Sequence, residues 1–187
     1  MTTLIDVIRG LDRRIPGNAD RIDMVDAINI GLSELGYVTQ MDTTLTVVDN
    51  QTEYTLPSGV YNVVRVQIAT SNTDDYGYVT VYNWREVNGA IHFTDELPHT
   101  AGYTIRLYYN ALHDEVEDDT DTVSDDIPLP LLIAEARYWF EQITYMDMAN
   151  LGAKEESTLE RLSTERLMAR QRYKVNRIPR DPVLGSD

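Results

Sequence analysis

The sequence of 187 residues predicts an α+β fold: a helical bundle of two N-terminal and two C-terminal helices, an inserted small antiparallel β-sheet or sandwich, and an extended C-terminal tail. Three observations carry this. Apolar residues recur at helical spacing at both ends of the chain, with period two and β-branched or aromatic residues between them. The last residues hold Pro179, Pro182 and Gly185 and follow neither period. A chain of this length buries a core as one domain, residues 1–187. Within it we expect helices over 1–36, a β module over 44–110, an acidic loop over 111–127, helices over 128–174 and the tail over 175–187.

Residues 2–14 predict the first helix, with Leu4, Ile5, Ile8 and Leu11 at helical spacing. Ile15-Pro16-Gly17-Asn18 breaks it, and Asn18 offers a side-chain oxygen to cap a second helix over 19–35. That helix carries a stripe of Val25, Ile28, Leu32 and Leu35, and Gly36 supplies the conformational freedom to end it. Strands follow at 44–48, 52–56 and 61–68, then at 76–83, 90–93 and 103–110. Asn88-Gly89 is a tight-hairpin signal between 84–87 and 90–94. Eight of the twelve tyrosines fall in this β region, where they serve packing or an interface.

Pro128 and Pro130 suit a helix start, because the N–H that proline lacks is unused there. Leu132, Ala136, Trp139, Phe140, Ile143 and Met146 then make a broad apolar face that belongs in a core. Asn150-Leu151-Gly152 breaks this helix. A fourth, over 154–174, has only a thin stripe of Leu159, Leu162, Ala169 and Tyr173, which fits a surface layer or a subunit contact.

The charge is lopsided, with 31 acidic residues against 16 basic ones and a formal net charge of −15. Such a surface repels a nucleic-acid backbone, so tight general DNA binding is not expected. The charge is also segregated. Residues 113–126, HDEVEDDTDTVSDD, hold eight carboxylates (Asp114, Glu115, Glu117, Asp118, Asp119, Asp121, Asp125, Asp126) and no Lys or Arg. Residues 168–180, MARQRYKVNRIPR, hold Arg170, Arg172, Lys174, Arg177 and Arg180 and no acid. Both runs are either solvated segments or surfaces that pair with a neighbouring subunit or a partner.

Chemistry is hard to find in the sequence. There is no cysteine, which removes disulfides and thiolate metal sites. His92, His99 and His113 are scattered and form no metal-binding pair on one helix face. Phosphate-cradling glycine motifs and a G-x-S-x-G elbow are absent. Asp119-x-Asp121 with Asp125 and Asp126 superficially matches a calcium loop, but lacks the Gly and Glu that the EF-hand spacing requires. Asp95, Glu96, Glu135 or Glu141 can be nominated for glycosidase chemistry, a nomination that 31 acids make available by number alone. No catalytic, cofactor or metal residues are therefore expected. The N-terminal residues are too charged for a signal peptide, and no apolar run reaches the roughly 18 residues of a membrane helix.

The order of elements resembles head–tail connector (adaptor) proteins of tailed viruses. The resemblance rests on 44–48 (TLTVV), Tyr54, Leu56 and Pro57, the 61–68 strand, the Trp84…Gly89…Phe93 hairpin, the 103–109 strand, and 129–140 leading into the last helices. It spans roughly residues 2–175. It implies a virion structural protein without enzyme activity: a homo-oligomeric ring, commonly of twelve copies, docked under the portal protein at the head–tail junction. Tail proteins would attach below, and genome DNA would pass through the lumen without specific binding. By the same resemblance, Arg170, Arg172, Lys174, Arg177 and Arg180 are candidate contacts to the portal or a neighbouring subunit. The acidic belt is less expected in that family; its charge makes it a candidate lining of the lumen, where it would repel passing DNA, or of a subunit boundary. A stopper or terminator, or a peptidoglycan-cleaving enzyme, is the alternative.

Overall fold

The computed structural model describes residues 2–15, 19–71, 77–94, 97, 101–146 and 152–175. Its residues form two compact units, one of Met1–Val38 with Leu112–Asn176 and a second built on Thr39–Ala111. The described residues contain four helices and three antiparallel sheets, in agreement with the mixed α and β character expected.

In the first unit the helices are α1 (Leu4–Asp12), α2 (Arg21–Leu35), α3 (Leu129–Met146) and α4 (Ala153–Arg172). α3 is the hub, with α1, α2 and α4 all packing on it. Leu4, Val7, Leu11, Ala27, Ile28, Leu32, Leu132 and Ala136 form its buried apolar centre. Each large aliphatic side chain there contributes roughly 1.5–3 kcal/mol by leaving water. Gly31 lets α2 approach closely, since a Cβ there would sit 3.2 Å from Glu135 Cβ and 3.3 Å from the Ala136 nitrogen.

The helix boundaries correct two expectations. Thr2–Thr3 is not helical: it forms a short strand, β1, antiparallel to Thr122–Val123. Asp6 closes the start of α1 by accepting from the Thr3 N–H and hydroxyl at 3.3 and 2.8 Å. The N-cap of α2 is Asp20, whose carboxylate accepts from the Ile22 N–H at 3.0 Å. The expected cap, Asn18, lies outside the described residues. Gly36 ends α2 with φ of 78°, as its position predicted.

The second unit holds β3 (Glu53–Thr55), β4 (Val60–Ala69), β5 (Tyr78–Val81), β6 (Trp84–Val87) and β7 (Ala90–Phe93), with most of β2 (Tyr37–Thr46) and β8 (Thr104–Leu112), whose end residues Tyr37, Val38 and Leu112 belong to the first unit. They form a four-stranded sheet in the order β2-β8-β4-β5 and a three-stranded sheet β3-β7-β6. Both sheets feed one apolar cluster that includes Tyr54, Val63, Val66, Ile68, Trp84, Ile91, Phe93, Ile105 and Leu107. β2 starts seven residues before the expected strand, at Tyr37 rather than at residue 44. Its run Thr39-Gln40-Met41-Asp42, polar except for an exposed Met41, hid it, because a half-exposed strand shows little apolar alternation.

The β8 side chains alternate cleanly, with Ile105, Leu107, Tyr109 and Ala111 buried. Opposite them, β4 shifts register between Val63 and Arg65, and this irregularity moves the inward-facing set from Val63 to Val66 and Ile68. Asn88 and Gly89, at φ 49° and 74°, make the tight turn between β6 and β7 that the Asn-Gly pair predicted. Tyr54 and Leu56 of the 44–68 stretch serve the unit's own packing. The Tyr54 ring stacks edge-on to Phe93 at 5.7 Å, its hydroxyl accepts from the Val48 N–H, and the Leu56 N–H donates to the Gly89 carbonyl.

Candidate functional site

The segregated charge singled out in the sequence falls, where it is described, entirely in the helical unit. The acidic belt is an organised surface rather than a plain loop. Val116, Val123 and Ile127 are buried in the helical core, and Thr122–Val123 is strand β9, paired with β1. Asn29 of α2 clamps the belt from both sides of one residue: its amide donates to the Val116 carbonyl at 3.1 Å and its oxygen accepts from the Val116 N–H at 2.9 Å. The α1 backbone also reaches the belt, with the Leu4 N–H donating to the Asp121 carbonyl at 2.8 Å.

Within the belt, Asp121 acts as a local brace. Its carboxylate accepts from the Glu117 and Asp118 N–H groups at 2.7 and 2.9 Å, and these bonds hold its pKa below the ordinary aspartate range. Asp119 pairs with Arg21 at 2.6 Å. His113 accepts the Ser124 N–H at Nε2, at 2.9 Å, which leaves Nδ1 to donate to the Asp114 carbonyl at 2.6 Å. The nominated calcium-loop carboxylates Asp119 and Asp121 are thus engaged by Arg21 and by backbone donors. Among the described residues, no group of three or more His, Asp or Glu side chains is placed to hold a metal ion.

Two outcomes follow for the belt. Replacing Asn29 by Ala is expected to cost about 1–3 kcal/mol, because both polar groups of Val116 lose their partner. Faster amide exchange in residues 113–127, with α3 unchanged, is the measurement. The lowered pKa of Asp121 works in the usual carboxylate sense: its bonds stabilise the folded state above the unfolded-state pKa and are lost as pH falls through the lower folded-state value. The belt should therefore loosen in strong acid, below the ordinary aspartate pKa of about 3.9. Asp121→Asn should remove the part of this response that belongs to residue 121.

The basic arm divides. Arg170 grips Glu135, the one fully buried charged residue among those described. Its Nη2 donates to Oε2 at 2.9 Å and its Nε to Oε1, a two-pronged pair. Arg166 Nη1 lies 3.9 Å from the same carboxylate, and Glu34 of α2 lies 3.7 Å from Arg170. The Glu135 hydrogen bonds raise the pKa of the Arg170 guanidinium further. Beside this set, Glu165 bridges Arg137 of α3 at 3.2 Å and Arg161 of α4 at 2.5 Å.

Leu162, Arg166 and Arg170 follow one another at i, i+4 and i+8, so they form the stripe that α4 lays on α3. Leu162 is the single buried residue of that helix. Of the expected thin stripe, Leu159, Ala169 and Tyr173 are only half-buried. α4 is thus fastened largely by charge, and its outer side exposes Leu167 and Met168 at 53% and 62%. Arg172 and Lys174 are exposed near its end, with the Arg172 guanidinium 5.6 Å from the Tyr173 ring. Arg177, Arg180, His99, Asp95 and Glu96 lie outside the described residues. His92 sits 3.8 Å from Glu53 in the β unit.

A family model described as SU10 adaptor protein matches residues 2–179. The chain belongs to the SU10 adaptor protein family. The match takes in the helical and the β segments together and makes this a phage structural adaptor. Comparison with curated proteins finds no match. Among the described residues of this SU10 adaptor family member, no helix is long and apolar enough to cross a membrane. Sequence reasoning missed the Asn29 clamp and the Glu135–Arg170 pair. Glu135 nevertheless left a trace, since it lies three residues after Leu132 and four before Trp139, on the apolar face of its helix.

Proposed function

We propose that this SU10 adaptor family protein forms a ring, commonly of twelve copies, that joins the portal protein to the tail at the head–tail junction of the virion. Genome DNA passes through its lumen without specific binding, tail proteins attach below, and the chain carries out no catalysis. The observation that carries this reading is the adaptor-family match across residues 2–179. Its physical support is the presence of unlike surfaces on one unit, since a closed ring needs two different faces that meet by rotation. The acidic belt is one such face, and the α4 surface with Leu167, Met168, Arg172 and Lys174 is another. In this reading the α4 surface meets the portal. Glu135, the one described nominee for glycosidase chemistry that is fully buried, has both oxygens engaged by Arg170 and supports an architectural role instead.

Removing the chain from an assembling virus tests the function. DNA-containing heads without tails, restored by supplying the chain, are the expected product. Tailed particles of normal infectivity would overturn the proposal.

A further inference from the structure

On the helical unit, α1 and the start of α3 enclose a groove of about 550 Å³. Arg9, Arg13 and Arg14 line it against one carboxylate, Asp6, together with Thr2, Gly10, Leu129 and Ile133. Arg9 is 3.8 Å from Asp6. Arg13 and Arg14 are exposed and have no side-chain partner among the described residues. Cations near a helix C-terminus gain from its dipole, but that gain does not account for an apolar floor beneath three arginines. In a chain of net charge −15, this cluster is the counterpart of something acidic.

The same unit presents a matching segment. Asp114, Glu115, Glu117 and Asp118 are exposed, and no cation pairs with their carboxylates among the described residues, although Arg21 donates to the Glu117 carbonyl at 3.3 Å. Leu112, just before them, is 49% exposed, so the segment is apolar and acidic as the groove is apolar and basic. Asn29 and Asp121 hold it in a fixed shape, which lowers the ordering cost of docking. Within one copy no ion pair joins the groove arginines to the belt among the described residues: the belt's ion pair is Asp119 with Arg21.

We infer that the α1 groove of one copy receives the Leu112–Asp118 segment of a second copy. This inference rests on the ring proposed above and identifies one of its subunit contacts. The contact is heterologous, groove to belt, so it leaves a groove and a belt open at opposite ends of any pair and propagates until the ring closes.

The chain lacks cysteine, which makes the test direct. Virions are assembled from a mixture of two variants, Arg13→Cys and Glu117→Cys, then oxidised, and the copies per particle are counted. A covalent dimer joining the two variants, dominant over dimers of either alone, is expected. Several copies per particle with no mixed dimer would overturn the contact while leaving the ring standing. A cross-link from Arg13→Cys to a different virion protein would overturn it as well. One copy per particle would overturn the ring and the contact together. If the cysteine variants fail to assemble, charge exchange replaces them: Arg13→Glu with Arg14→Glu should abolish assembly, and adding Glu117→Arg with Asp118→Arg in the same chain should restore it. Failure of that restoration, with each variant folded by circular dichroism, would also overturn the contact.

Discussion

Replacing Arg170 by Met is expected to destabilise the helical unit by about 3–5 kcal/mol, the cost of leaving a buried carboxylate without its partner. Glu135 has no solvent exposure, so water does not compensate its oxygens when the guanidinium is gone. Arg166 remains, but at 3.9 Å it holds the carboxylate loosely. Arg170→Lys should cost less, about 1–2 kcal/mol, because a lysine keeps the charge and loses the two-pronged geometry. Replacing both partners, Glu135→Leu with Arg170→Met, should recover part of the loss, since matched apolar groups carry no desolvation penalty while Arg166 gives up its carboxylate partner. Denaturant unfolding followed by helical circular dichroism checks all three. A loss below about 1 kcal/mol for Arg170→Met, with portal binding abolished, would return Arg170 to the role of partner contact that the family resemblance implied.

The second large effect is on assembly. Leu167→Asp with Met168→Asp should leave folding of the isolated chain nearly unchanged, since both side chains already face water. Binding to the portal should nevertheless fall about a hundredfold or more, the consequence of placing two carboxylates where the proposed contact would bury two apolar anchors. Titration of the chain against its purified portal protein reads this directly. Unchanged affinity would move the portal contact off α4. Wild-type-like unfolding of the variant is the control that separates a lost contact from a lost fold.

These two effects arise from features that were legible to different degrees. The 88–89 turn could be read in advance because Asn-Gly is a local solution to a local backbone demand, and the φ values of 49° and 74° meet it. The Gly36 stop and the proline-led start of α3 were local in the same sense. β1 was not legible: two threonines become a strand only because Thr122 and Val123 return to them across more than a hundred residues. The organisation of the acidic belt was hidden for the same reason, as its clamp, Asn29, stands on a different helix. Net charge marked the segment, but composition does not record which acids brace the backbone and which face outward.

The basic arm shows the opposite difficulty. Arg170 and Arg172 are two residues apart and look alike in a charge run, yet one turns inward to Glu135 and the other faces solvent. Helical periodicity separates them once the α3-facing stripe is known. That stripe could not be fixed beforehand, because two of its three members, Arg166 and Arg170, are charged. The 44–68 stretch was the clearest mark of kinship, and its described side chains Tyr54, Leu56 and Val63 serve the β unit's own core.

In the proposed function, copies of this chain assemble as a multi-subunit ring on the portal. Mass measurement of the purified chain, alone and mixed with its portal protein, tests that most directly. The mixture should give one discrete complex whose mass corresponds to the portal plus a full ring of adaptor copies, commonly twelve. A chain that stays monomeric in both samples would contradict it.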